Sequence, residues 1–159
     1  MTKEDKTMNW PHIHLIINHF PVIGFIFGLL FVLYAMIRKS DELKKTSLGF
    51  LVLVALITVP VYLTGDQAGD IMERLPDVSK SLVEQHAEAA AVSLTVAVIL
   101  ALVIFGGFFF FRRAAAIPRW FMALTLILTI VVNGLIAFTA NLGGQIRHPE
   151  TRKGFQLPK

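Results

Sequence analysis

Five histidines and a few carboxylates are the residues of this chain whose types and positions suit chemistry. His12, His14 and His19 open the first apolar stretch, His86 opens the third, and His148 follows the fourth. Asp66 and Asp70 lie at the end of the second. Counted at about 1.5 Å per helical residue from the opposite loops, His14, His86, His148 and Asp70 fall in one layer. His19 and Asp66 fall in another, roughly two turns deeper. Imidazoles on facing helices are the donors for haem iron, and three or four converging histidines and carboxylates are the donors for zinc or copper. His19 and His86 are the firmest candidate ligands because an ionisable residue inside a span carries a functional expectation. His14 and His148 come next, whereas His12 beside Trp10 reads as interfacial.

The neighbouring residues predict a polar interior. His86 is followed at helical spacing by Ala89, Ala90, Ser93 and Ala97, a stripe of small side chains. Gly134, Ala137, Asn141, Gln145 and His148 share one face of the fourth helix, and Tyr62, Asp66, Asp70 and Glu73 share one face of the second. Because polar groups facing lipid are costly, these faces are expected to point inward. Asp66, Asp70, Asn141 and Gln145 would then support the ligands by hydrogen bonding. Asn133 is expected to bridge helices. The run Phe108 to Phe111 is read as interfacial packing.

What must position these groups is a membrane bundle. The chain has 159 residues, 55% hydrophobic and only 16% charged. A bilayer core takes about 20 apolar residues to cross, and four stretches qualify: roughly 13–37, 48–63, 87–111 and 117–142. The second is short unless it continues past Asp66. The expected architecture is all-α, a four-helix transmembrane bundle over residues 1–150 with a polar tail over 151–159. Both termini fall on one side, and no cleavable signal peptide is expected before Trp10. Arg38, Lys39, Lys44 and Lys45, then Arg112, Arg113 and Arg119, crowd the two short loops. The positive-inside rule turns those loops to the cytoplasm and the histidines to the periplasm of a bacterial inner membrane.

Local signals refine the helices. Pro60 is expected to kink the second, and Gly24-x-x-x-Gly28 offers the first a surface for close approach. Ser81-x-x-Glu84 reads as a capping box opening the third after Leu75-Pro76-Asp77. Asn18-His19-Phe20-Pro21 can itself start a helix, which would leave His14 on a preceding segment. Trp10 and Trp120 are placed as anchors at opposite interfaces. No internal repeat is evident. Cysteine is absent, which excludes disulfides, iron–sulfur ligation and covalent haem attachment. The net charge of +4 is explained by residues flanking the spans, so nucleic acid is not an expected partner.

His14-Leu-Ile-Ile-Asn-His19-Phe20-Pro21, the histidine opening the third helix, and Leu142-Gly143-Gly144 before His148 together resemble a bacterial four-helix membrane family catalogued as a domain of unknown function (DUF2231). The likeness covers roughly residues 11–150. Its members typically show a paired His…His-Phe-Pro in the first helix and Gly-Gly…His at the end of the fourth. Here His148 follows Gly144 more closely than is usual in that family. Some members are joined to Rieske-type iron–sulfur domains, so the resemblance implies electron transfer. The expected function is a b-type cytochrome carrying one or two haem b groups with bis-histidine ligation. It would pass electrons between a periplasmic cytochrome or iron–sulfur partner and the quinone pool or a larger respiratory complex, as a carrier rather than a stand-alone enzyme. The alternatives are a site for copper, zinc or another divalent ion, and a structural subunit of a larger membrane complex.

Overall fold

The computed structural model describes residues 9–76, 78–114, 116–152, 154 and 155. Asp77 of the expected helix stop and residues 153 and 156–159 of the tail lie outside them. The described residues are almost wholly helical: α1 (Trp10–Ile17), α2 (His19–Arg38), α3 (Asp41–Met72), α4 (Lys80–Phe111) and α5 (Arg119–Arg147). A 3-10 turn at Pro149–Thr151 follows.

α1 and α2 make one span broken at Asn18, and α3, α4 and α5 make the other three, so four helical stretches are long and apolar enough to cross a membrane. Only 22–33% of each apolar stretch is buried within the protein. The outward remainder carries Ile23, Phe27, Leu30, Leu56, Leu102, Phe105 and Ile127, a surface that hydrocarbon rather than water can solvate. The second span does continue past Asp66, ending at Met72.

Pro21 explains the break between α1 and α2. It has no N–H for the carbonyl four residues back, and its ring crowds that carbonyl. Asn18 keeps right-handed helical angles and its N–H still reaches the His14 carbonyl, so the chain bends without unwinding. As the sequence alternative had it, His14 belongs to the segment before the break.

Each long helix packs against the next, and α2 closes the ring against α5, while α1 lies on α3. Glycine lets α2 and α3 approach closely. A Cβ at Gly24 would meet the Val54 side chain at 2.8 Å, and one at Gly28 would meet Leu51. The expected Gly-x-x-x-Gly surface therefore receives α3. Asn133 bridges helices as expected, its Nδ2 donating to the Phe25 carbonyl at 3.0 Å and to the Thr129 carbonyl at 2.9 Å. The capping box at Ser81 is not formed: α4 begins at Lys80, Ser79 occupies the cap, and its Oγ pairs with Ser81 Oγ at 3.1 Å. α3 runs through Pro60 as one helix.

The burial pattern reveals a duplication that residue identity hides. On α2 the buried positions are Pro21, Phe25, Gly28, Val32 and Ala35; adding 72 to each gives Ser93, Ala97, Leu100, Ile104 and Gly107, all buried on α4. Of the ten buried positions on α3, Lys44, Ser47, Leu51, Val54 and Thr58 have buried counterparts 78 residues on, Met122, Thr125, Thr129, Val132 and Ile136 of α5; those of Leu48, Ala55, Val61, Ala68 and Met72 are half-buried or exposed. The two helical hairpins thus present the same register of positions to one core, although a proline stands opposite a serine and a lysine opposite a methionine. Sequence comparison misses this because a helix in a bundle conserves which positions face inward more strictly than which residue fills them.

Candidate functional site

The equivalent positions of the two hairpins include the histidines. His14 and His86 are 72 residues apart, in register with the buried rows of α2 and α4. Their rings meet in the bundle with centroids 6.5 Å apart and planes at 78°. Both are half-buried.

Each imidazole is fixed by the same device. His14 Nδ1 lies 3.1 Å from the Val61 carbonyl and 3.4 Å from Thr64 Oγ1. His86 Nδ1 lies 2.9 Å from the Thr139 carbonyl. A carbonyl oxygen can only accept, so in both rings Nδ1 carries the proton and donates it. Nε2 is then left with a lone pair on each ring, the state in which imidazole binds a metal. Four residues beyond each acceptor stands a glycine under the ring. A Cβ at Gly65 would lie 2.8 Å from His14 Cε1, and one at Gly143 would lie 3.0 Å from His86 Cε1. Val61 and Thr139, like Gly65 and Gly143, are 78 residues apart, so acceptor and glycine are duplicated together with the histidine.

The supporting hydroxyls are satisfied locally. Thr64 Oγ1 donates to the helix carbonyls of Pro60 or Val61, at 3.0 and 2.9 Å. Ser93 Oγ and Thr139 Oγ1 are 2.9 Å apart and bind α4 to α5 beside His86. The small residues predicted on the His86 side of α4 do face inward: Ser93 and Ala97 are buried, and Ala89 and Ala90 are half-buried.

Other predicted site residues lie elsewhere. His19 is exposed at the start of α2, because the five steps from His14 to it turn a helix well over a third of a circle beyond one full turn. His148 is exposed beyond α5, its Nδ1 2.9 Å from Glu150 Oε1. Asp66 and Asp70 are exposed, and so is Asn141. Gln145 Nε2 donates to Asn141 Oδ1 at 2.7 Å, so this pair satisfies itself. The expectation that these polar faces point inward is corrected. On α3 the buried row is Val54, Thr58, Val61, Ala68 and Met72, one position behind the predicted face. On α5 it is Val132, Ile136 and Leu142.

The tetrahedral set of His14, His86, His148 and Asp70 is not assembled: among the described residues no group of three or more histidines, cysteines or carboxylates stands together as a metal site. Sequence reasoning overlooked Val61, Gly65 and Thr139, and read Gly143 only as part of the Leu142-Gly143-Gly144 element. Their one signal is short, Gly65-Asp66-Gln67 matched by Gly143-Gly144-Gln145, a Gly-x-Gln in the second helix of each hairpin.

Set against models of known families, curated proteins and solved structures, the chain matches none of them. The functional reading therefore rests on the histidine pair and its supports.

Proposed function

We propose that this protein is a small b-type membrane cytochrome in which His14 and His86 would hold one haem. The observation that carries the reading is the pair itself. Two imidazoles bound through nitrogen to one metal at about 2.0 Å place their ring centres about 6 Å apart, and these stand 6.5 Å apart with Nδ1 of each already engaged. The donor set fits haem better than a bare ion. A porphyrin brings its own four equatorial nitrogens and asks the protein for two ligands, whereas structural zinc asks for four.

In this reading haem supplies one-electron chemistry at the iron. The protein's residues hold and tune. The carbonyls of Val61 and Thr139 keep both rings in the tautomer that leaves Nε2 available and raise the basicity of that nitrogen. Gly65 and Gly143 leave room for the rings to stand flush against α3 and α5. Ser93 and Thr139 hold the α4–α5 seam on which His86 rests. A haem held by both histidines would supply one-electron transfer rather than substrate chemistry at iron.

The arginine- and lysine-rich loops at the far end of the bundle favour a cytoplasmic setting by the positive-inside rule. The histidine pair would then lie towards the periplasmic side of a bacterial inner membrane, near enough for exchange with a periplasmic redox protein and, through the bilayer, with quinone or a larger respiratory complex.

The test is the visible spectrum of detergent-purified protein made with ample haem supply, before and after dithionite. A Soret band with a sharp reduced α-band is expected. Protein that is folded, helical and colourless overturns the proposal.

A further inference from the structure

The end of the bundle remote from the histidines carries two adjoining hollows. The larger, about 480 Å³, is an open groove along α4 and α5 lined by Val103, Gly106, Phe110, Trp120 and Leu124 among other apolar residues, with no charged side chain. The smaller, about 50 Å³, has Lys45 and Arg112 in its wall. The two share Gly107, Phe111 and Phe121. An apolar trough thus ends against a cationic pocket, the outline of an amphiphile with a negative head.

We propose that this composite hollow binds an anionic phospholipid, with an acyl chain along the Gly106–Trp120 groove and the phosphate against Lys45 and Arg112. Charge singles out the headgroup. Lys45, Arg112, Arg113 and Arg119 gather at this end, and neither hollow is lined by a carboxylate. The nearby Asp41 is engaged at 2.7 Å by Lys44, whose Nζ also donates to the Ile117 carbonyl at 3.3 Å. That bond ties the start of α3 to the approach of α5 and holds the floor of the pocket without using Lys45. The Arg112 guanidinium sits 4.4 Å from the centre of the Phe109 ring, which holds a cation on aromatic surface at this end of α4. A choline headgroup would add a cation beside two others, whereas a glycerol headgroup leaves the phosphate charge unbalanced and attractive.

Spin-labelled phosphatidylglycerol and phosphatidylcholine, each added to the purified full-length protein, distinguish these cases by the motionally restricted fraction in the EPR spectrum. Phosphatidylglycerol should be favoured by about fivefold or more, and the preference should shrink in 0.5 M salt as screening demands. Lys45→Ala combined with Arg112→Ala should bring the two lipids level. Gly106→Leu should reduce restriction of both, because Gly106 lines the groove and a Cβ there meets no protein atom within 4 Å, so the added side chain has the groove to occupy. Equal restriction of the two lipids by the unaltered protein overturns the proposal, and so does a preference that survives the double substitution.

Discussion

His14 and His86 occupy equivalent positions in two helical hairpins, and their rings meet 6.5 Å apart at the junction of those halves. Each donates through Nδ1 to a carbonyl on the second helix of its own hairpin, Val61 or Thr139. One ligand bound between them would therefore be held by two copies of one device. Neither histidine can be regarded as the ligand and the other as its accessory.

Equivalence makes the first prediction. His14→Ala and His86→Ala should each abolish the low-spin haem spectrum, with losses of similar size. His19→Ala and His148→Ala should leave it in place, since both residues are exposed and away from the pair. Absorption of each purified variant, normalised to protein, reads this out. A spectrum kept by His86→Ala, or lost by His148→Ala, would assign the ligands differently.

The glycines make the second. Gly65→Ala puts a methyl group 2.8 Å from His14 Cε1, and Gly143→Ala puts one 3.0 Å from His86 Cε1. The His14 ring must move and the His86 ring must give by a few tenths of an ångström; overpacking of this kind costs about 1–3 kcal/mol. Haem content should fall in both variants, along with the thermal midpoint in detergent. Gly144→Ala is the control, because nothing lies within 4 Å of a Cβ there. Moreover, alanine favours a helix over glycine by about 1 kcal/mol, so Gly144→Ala should hold or raise the midpoint. If all three variants behave alike, the contact with the rings has no functional weight.

How far the sequence discloses this arrangement depends on which physical signal each feature leaves. The spans are legible because twenty apolar residues have few other uses. His14 and His86 are legible as ionisable groups at span ends, and the Asn18 break is legible from Pro21. The inward faces of α3 and α5 are not. Asp66, Asp70 and Asn141 look as if they should face the core only while they are assumed to sit in hydrocarbon. The structure has them exposed at the same end as the histidines, outside the row that packs into the core. The supports of the rings leave almost no signal at all, because a backbone carbonyl has no residue code and a glycine under an imidazole looks like any other small residue. The hairpin correspondence hides for a related reason: the matching positions of α2 and α4, and half of those on α3 and α5, share burial but not identity.

Asn133 makes a third prediction, one about the frame rather than the site. Its Nδ2 joins α5 to the Phe25 carbonyl of α2, at the seam where the ring of helices closes. Interhelical hydrogen bonds in membranes are worth about 0.6 kcal/mol and at most about 1.7. Asn133→Leu, which keeps the branching and heavy-atom number while removing the donor, should therefore lower unfolding stability in mixed detergent by an amount in that range and leave the haem spectrum unchanged. A larger loss, or loss of haem, would mean that the α2–α5 seam sets the histidine geometry.

The fourth prediction separates His148 from the pair by titration. Beyond the end of α5, the Glu150 carboxyl is held below the ordinary glutamate value of 4.5, first by its own backbone N–H and then by the His148 ring beside it. A carboxylate depressed on folding stabilises the folded state above its unfolded value. That contribution is lost as pH falls through the folded value, so the window lies at and below about pH 4.5. His148→Ala removes only the second cause. The Glu150 midpoint, followed by NMR of the side-chain carboxyl, should rise but stay below 4.5, while visible absorption at neutral pH stays as it was. A midpoint unmoved by the substitution would show that His148 and Glu150 do not pair in solution. A concurrent loss of the haem spectrum would instead return His148 to the ligand set, and with it the deeper question of how a residue capping α5 could reach between His14 and His86.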